Sequence, residues 1–183
     1  MSTYPVHTLQ TAPEASRPSL EALQSAFGFI PNMAGAMATS PILIGSLVGL
    51  FDKVHGGHFT EAQIQVLLLT NAVTNGSVWA VAFHSVLAVR QGIDPHDIEA
   101  IRSGGAPREP RLAALSKLTR SLIESRGHLD ASVANAFLAA GFTSEHVLEA
   151  IAVCAASTMT NYTASVTKPP SEAEFSDFAW HAA

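Results

Sequence analysis

FTEAQIQVLLLTNAVTNGSVWAVAFHSVLAVRQG, residues Phe59 to Gly92, decides how the chain folds. It carries no Asp, Glu, Lys or Arg between Glu61 and Arg90, yet Gln65, Asn71, Asn75, Ser77 and His84 recur inside it. Its apolar residues follow helical spacing, and polar groups embedded in such a pattern need partners or a purpose. Asn75-Gly76 splits the stretch into two helices, since both residues tolerate the left-handed backbone that ends one helix and turns into the next. Thr60 followed by Gln63 has the form of a capping box, Ser77 opens the second helix, and Gly92 ends it. On that second helix Ser77, Ala80 and His84 stand at i, i+3 and i+7 and share one face. Gln65 comes from the helix before and is read as a hydrogen-bond partner for His84.

A Ser77–His84 hydrolase pair is opposed by geometry, because seven residues of helix separate the two Cα atoms by about 10 Å along the axis. Ser77 is therefore read as a helix cap. His84 is set among Val81, Ala82, Phe83, Val86 and Leu87, a setting in which a satisfied core imidazole is commoner than a catalyst. Trp79 is open to two readings, pocket lining and plain packing. Cys154 lies among small apolar residues of another predicted helix and behaves as a small hydrophobe; as the only cysteine it excludes an intrachain disulfide. His55-Gly-Gly-His58 resembles half a metal site, but with no neighbouring ligands to complete it the pattern predicts a solvated loop and no metal.

Away from this stretch the chain continues in helical periods. Leu20, Leu23 and Phe27 form one stripe after Pro18, Met33 and Met37 a short second one, and Leu43 to Val54 a third behind the Ser40-Pro41 cap. Asp94-Pro95 opens another helix, Leu112 to Leu122 mark the next, and Asp130–Ala140 one more. Thr143 caps a long apolar helix running to about Val166. Leu87–Ile98 and Leu138–Val147 repeat one outline weakly: helix end, Gly, apolar residue, capping residue, new helix. No strand alternation appears, so the class is all-α, with antiparallel helices, in one domain over residues 18–167. Residues 1–17 read as an extended arm, and residues 168–183 as a tail whose Phe175, Phe178 and Trp180 anchor it to its own or a neighbouring subunit.

Composition narrows the function classes. Charged residues make up 14% against the roughly 25% usual in soluble domains, and 48% are hydrophobic, a surplus that favours a homo-oligomer. A net charge of −5 gives no footprint for nucleic acid or anionic membrane. The long uncharged windows are broken by polar residues, which argues against a membrane span. Nothing at the N-terminus has the form of a secretory signal, so a cytoplasmic location is expected.

The arrangement of helix, Asn-Gly break, Ser77, Ala80, His84 and Gly92 is similar to the alkylhydroperoxidase D-like core of the carboxymuconolactone decarboxylase family. Phe27–Pro41 and Asn135–Tyr162 resemble the segments that flank that core in a peroxidase-related subfamily. The resemblance implies an all-helical fold, an oligomer (trimer, hexamer or dimer), no cofactor, and a small-molecule substrate or ligand. It also implies a peroxidase activity, an antioxidant oxidoreductase chemistry run by Cys-x-x-Cys-x-x-x-His with a proton-relay Glu twelve residues before the first Cys. Carried over, the Glu falls on Gln65, the cysteines on Ser77 and Ala80, and the His on His84, the family's proton-handling position; Asn161 matches a recurrent Asn and is read as a hydrogen-bonding residue near the pocket. Ser cannot supply a thiolate, Ala80 cannot resolve a disulfide, and Gln65 cannot accept a proton. Three expectations follow: a divergent enzyme with altered acid–base chemistry at His84, a carboxymuconolactone decarboxylase-like lyase, or a non-catalytic oligomeric protein holding a small apolar ligand. The lyase branch typically carries a carboxylate four residues before the His, where this chain has Ala80.

Overall fold

The computed structural model describes residues 4–181, and within them nine α-helices and two short 3-10 turns make up the regular structure. The helices are α1 (Arg17–Phe27), α2 (Asn32–Met37), α3 (Pro41–His55), α4 (Glu61–Thr74), α5 (Val78–Arg90), α6 (Pro95–Arg102), α7 (Pro110–Glu124), α8 (Ala131–Ala139) and α9 (Ser144–Thr167). The all-α expectation holds, and helix ends fall within a residue or two of the caps read from sequence.

α4 is the axis of the domain. Every residue from Ile64 to Ala72 is buried, as a helix packed on all sides must be, and its neighbours are α5, α6, α7 and α9. The Thr60 capping box forms in full: Gln63 N donates to Thr60 Oγ1 (3.3 Å) and Thr60 N to Gln63 Oε1 (3.0 Å). Each buried polar side chain of α4 addresses a different neighbour. Gln65 meets His84 of α5, Thr70 Oγ1 donates to Ser116 Oγ of α7 (3.0 Å), and Asn71 Oδ1 accepts from Asn161 Nδ2 of α9 (2.8 Å). Each such bond adds modest stability, but a slip of one helix would strand a buried polar group at a cost of about 1–3 kcal/mol, so the three fix the register of the bundle.

The segments 4–16 and 168–181 that flank the helices both lie on this body. Residues 4–16 pack against their own helices: His7 N donates to Gly35 O (3.1 Å), Ser16 Oγ to Ala38 O (2.7 Å), and Ala12 is buried. Gly35 permits this approach, because a Cβ there would stand 2.7 Å from Val6 Cγ1 and 2.8 Å from His7 O. The tail turns at Lys168, which is left-handed (φ 46°), and docks on α5. Phe175 is buried against Phe83 and Trp79, Trp180 Nε1 donates to Arg102 O (3.0 Å), and Arg102 donates to the carbonyls of Phe178 and Ala179. The tail aromatics thus anchor to their own subunit; residues 1–3 of the expected arm and 182–183 of the expected tail lie outside the described residues. Among the described residues no single helix is long and apolar enough to cross a membrane.

Candidate functional site

The helices α1 to α5 enclose a cavity of about 510 Å³. One wall is aromatic: Trp79 and Phe83 stack at 4.9 Å between centroids, and Phe27 meets Phe83 edge-on at 5.3 Å. Met33, Leu47, Leu68 and Leu87 line the rest of the interior. Trp79, Phe83 and Leu87 of α5 and its C-cap Gln91 reach the cavity together because they recur every four residues. Both readings of Trp79 are therefore realised, since it lines the cavity and packs on the tail, where its Nε1 donates to Glu172 Oε2 (2.9 Å). The other oxygen of Glu172 accepts from Asn32 N (2.7 Å), which fixes this wall to the start of α2.

Buried polar groups of the cavity lining include His84 and Gln65, each 4% exposed, and Thr160 of α9. His84 Nδ1 lies 3.1 Å from Gln65 Oε1, the partnership read from sequence. An amide oxygen only accepts, so Nδ1 carries the hydrogen. Burial pushes the His84 pKa down to about 3, with the charge of His55 adding to the effect, so the ring is neutral at physiological pH. A neutral ring protonated on Nδ1 leaves a lone pair on Nε2, and the hydrogen bond His84 makes within the described residues runs through Nδ1. The deep end of the cavity thus presents a hydrogen-bond acceptor to whatever enters.

The rim carries the charge: Asp52 and His55 from α3, Glu61 from α4 and Arg90 from α5. Sequence reading weighed His55 only as half of a metal site and passed over the other three, although Glu61 precedes Gln65 by one helical turn and so shares its face. All four residues of the expected solvated His55-Gly-Gly-His58 loop are exposed, and both of its imidazoles have carboxylate partners. His55 is the last residue of α3 and pairs with Glu61. His58 is held by Glu149 of α9, through its backbone N to Oε2 (2.9 Å) and through Nδ1 at 2.6 Å from Oε1, and that hydrogen bond raises the His58 pKa. The partners were missed because Glu149 is distant in sequence and meets the loop only after folding. His58, Glu145 and Glu149 bring ligand-type atoms within 4.8 Å of one another, but the short His58–Glu149 bond already gives these groups a structural task.

Ser77 and Ala80 are buried and do not line the cavity. Ser77 takes the N-cap position of α5 as expected, but its hydroxyl makes no capping bond and has no partner among the described residues, which corrects its reading as a side-chain cap. Asn161, expected near the pocket, lies instead between α9 and α4, bonded to Asn71 Oδ1 and, at 3.3 Å, to Ser157 Oγ. Its neighbour Thr160 reaches the cavity in its place. Cys154 is half-buried on α9, and burial pushes its thiol up to about 11.

No protein-family model matches the chain, and no curated sequence does. The likeness is one of three-dimensional structure. An uncharacterized peroxidase-related protein from Ralstonia eutropha JMP134, described as an alkylhydroperoxidase AhpD core, superposes with a TM-score of 0.83 at 20% identity, over 95% of this chain and 94% of that one. The chain has the alkylhydroperoxidase D fold. A peroxidase-related protein from Silicibacter sp. TM1040 shares it, with a TM-score of 0.77 at 16% identity over 94% of this chain and 92% of that one. So does a Cys-to-Ala variant of the debrominase Bmp8 in complex with 2,3,4-tribromopyrrole, with a TM-score of 0.79 at 17% identity over 97% of each chain. At these identities the alkylhydroperoxidase D likeness speaks to architecture; chemistry must be argued from the residues that line the cavity.

Proposed function

We propose that this chain uses the alkylhydroperoxidase D fold without dithiol peroxidase chemistry, and that its cavity binds a small, mainly aromatic molecule that offers an N–H or O–H to His84 Nε2. The observation that carries this reading is the Gln65–His84 bond. A carboxylate at residue 65 would favour an imidazolium, whereas the amide leaves a neutral ring with a free acceptor facing aromatic walls. Ser77 and Ala80 offer no thiolate and no resolving thiol. The volume suits a ring-sized ligand. The complex of Bmp8 with a brominated pyrrole, a flat ring bearing an N–H, supports a ligand of this kind for the fold. With its pKa near 3, His84 would hold a proton at neutral pH only at a cost of about 5 kcal/mol, which favours it as an orienting acceptor over a general base.

Fluorescence of Trp79 tests the reading in a Trp180→Phe background, where it is the sole tryptophan. Phenol is expected to quench with an affinity several-fold, up to roughly tenfold, above that of its methyl ether, and His84→Leu to erase the difference. Equal affinities in the natural protein would refute it. We also propose a homo-oligomer that buries the outer stripe of α9, where Leu148, Ile151, Tyr162 and Val166 are 68%, 48%, 62% and 63% exposed. No charged residue interrupts α9 after Glu149, so two copies can meet there without burying an unpaired charge. A monomeric mass by light scattering would exclude this.

A further inference from the structure

The cavity contains a second imidazole in a different position from His84. His55 stands at the rim, with Nδ1 2.9 Å from both Oε1 and Oε2 of Glu61 and its ring stacked on Phe51 at 5.7 Å. A carboxylate can only accept, so Nδ1 carries the hydrogen and Nε2 of the neutral ring is a lone pair. A carboxylate placed in this way orients an imidazole as a base and stabilises the imidazolium that forms when it takes a proton. Side-chain exposures of 36% for His55 and 47% for Glu61 let that proton pass on to water, which buried His84 cannot do. Glu61 lies one turn of α4 from Gln65, about 6 Å along the axis, roughly the span of one aromatic ring with its substituents.

Resting on the ligand-binding reading above, we propose that His55 and Glu61 form a proton-accepting dyad, and that the cavity takes single-ring molecules with hydrogen-bond donors on opposite edges. The inner donor is held by His84 Nε2. The outer, acidic O–H or N–H bond breaks, its electron pair stays on the ligand, and a new N–H bond forms at His55 Nε2. Glu61 holds the imidazolium until the proton leaves to solvent. The other charged groups facing the cavity are Arg90, which offsets the ligand's new negative charge, and Asp52, which opposes it. His84 stays neutral throughout, α1 and α2 bring no titratable side chain to the lining, and α9 brings only Thr160.

An ortho-nitrophenol bearing a para hydroxymethyl group tests this, since its phenolate alone absorbs in the visible and its second hydroxyl lies on the opposite edge. Occupancy is read independently from quenching of Trp79 in the Trp180→Phe background. With the dyad intact, the bound probe should keep its phenolate band about one pH unit or more below the point at which the free probe loses it. With His55→Gln or Glu61→Gln the probe should still quench, but lose most of that downward displacement, because Arg90 alone is left to offset the phenolate and Asp52 opposes it. Occupancy with identical ionisation in all three proteins would overturn the dyad and leave the ligand reading standing. Quenching by phenol but not by this probe would refute the two-edged ligand class. No quenching by either would remove the ligand reading and the dyad together.

Discussion

Lowering the pH from 7 to 5 is expected to cost the folded chain about 2 kcal/mol through His84 alone. The His84 pKa falls from an ordinary 6.5 to about 3 in the folded state, mainly by burial and secondarily by the charge of His55. Between those values the unfolded chain binds a proton that the native chain refuses. Stability from this group is therefore complete above the unfolded pKa and is lost progressively as the pH falls toward the folded one. At pH 5 the loss is about 1.5 pH units' worth, near 2 kcal/mol, and it levels off at about 5 kcal/mol below pH 3. Urea unfolding followed by tryptophan fluorescence at both pH values, in the natural chain and in His84→Gln, isolates the effect. His58 works in the opposite sense, since its pKa is raised by Glu149, but it is present in both proteins and cancels in the comparison. An equal loss in both proteins would mean that His84 titrates as a solvated imidazole, and the neutral acceptor deep in the cavity would have to be abandoned.

Hydroperoxide consumption with a dithiol reductant should be absent in the natural protein and appear in a Gln65→Glu/Ser77→Cys/Ala80→Cys variant; turnover by the natural protein would refute the argument from missing thiols. Glu172→Gln should weaken the link between Trp79 and the start of α2, lowering stability by about 1–3 kcal/mol and shifting Trp79 emission, and an unchanged unfolding midpoint would contradict the role given to that carboxylate. Cys154 should resist iodoacetamide at neutral pH in the native state and react once the chain is unfolded, because burial holds its thiol up at about 11. Rapid native alkylation would return Cys154 to the list of reactive groups.

The course of the helices was legible because the signals that set it are local. Thr60 and Gln63 fulfil a capping box within one turn, the Asn75-Gly76 break follows from backbone preference, and Gly76 does take φ 65°. The Gln65–His84 contact was also within reach, since two polar residues facing each other from adjoining helices in an apolar stretch have few other partners. Ser77 was harder to read: its N-cap position is set by sequence, but the direction of its hydroxyl depends on what packs around it.

Local signals along the chain specify an all-helical protein with α4 and α5 at its centre, an imidazole inside, and no thiol pair with which to run a disulfide cycle. Periodicity, caps and residue type are properties of neighbours along the chain, and they need no knowledge of the fold. Folding is what brings Glu61, His55 and Arg90 into one cavity with His84, sets Glu149 against the loop at His58, and fastens Trp79 to Glu172. Glu149 and Glu172 meet their partners across some 90 residues of chain, and the rim of the cavity is assembled from three helices. Packing of the apolar faces brings such groups together, and a pattern of spacing along one helix carries no record of which face of another will lie opposite.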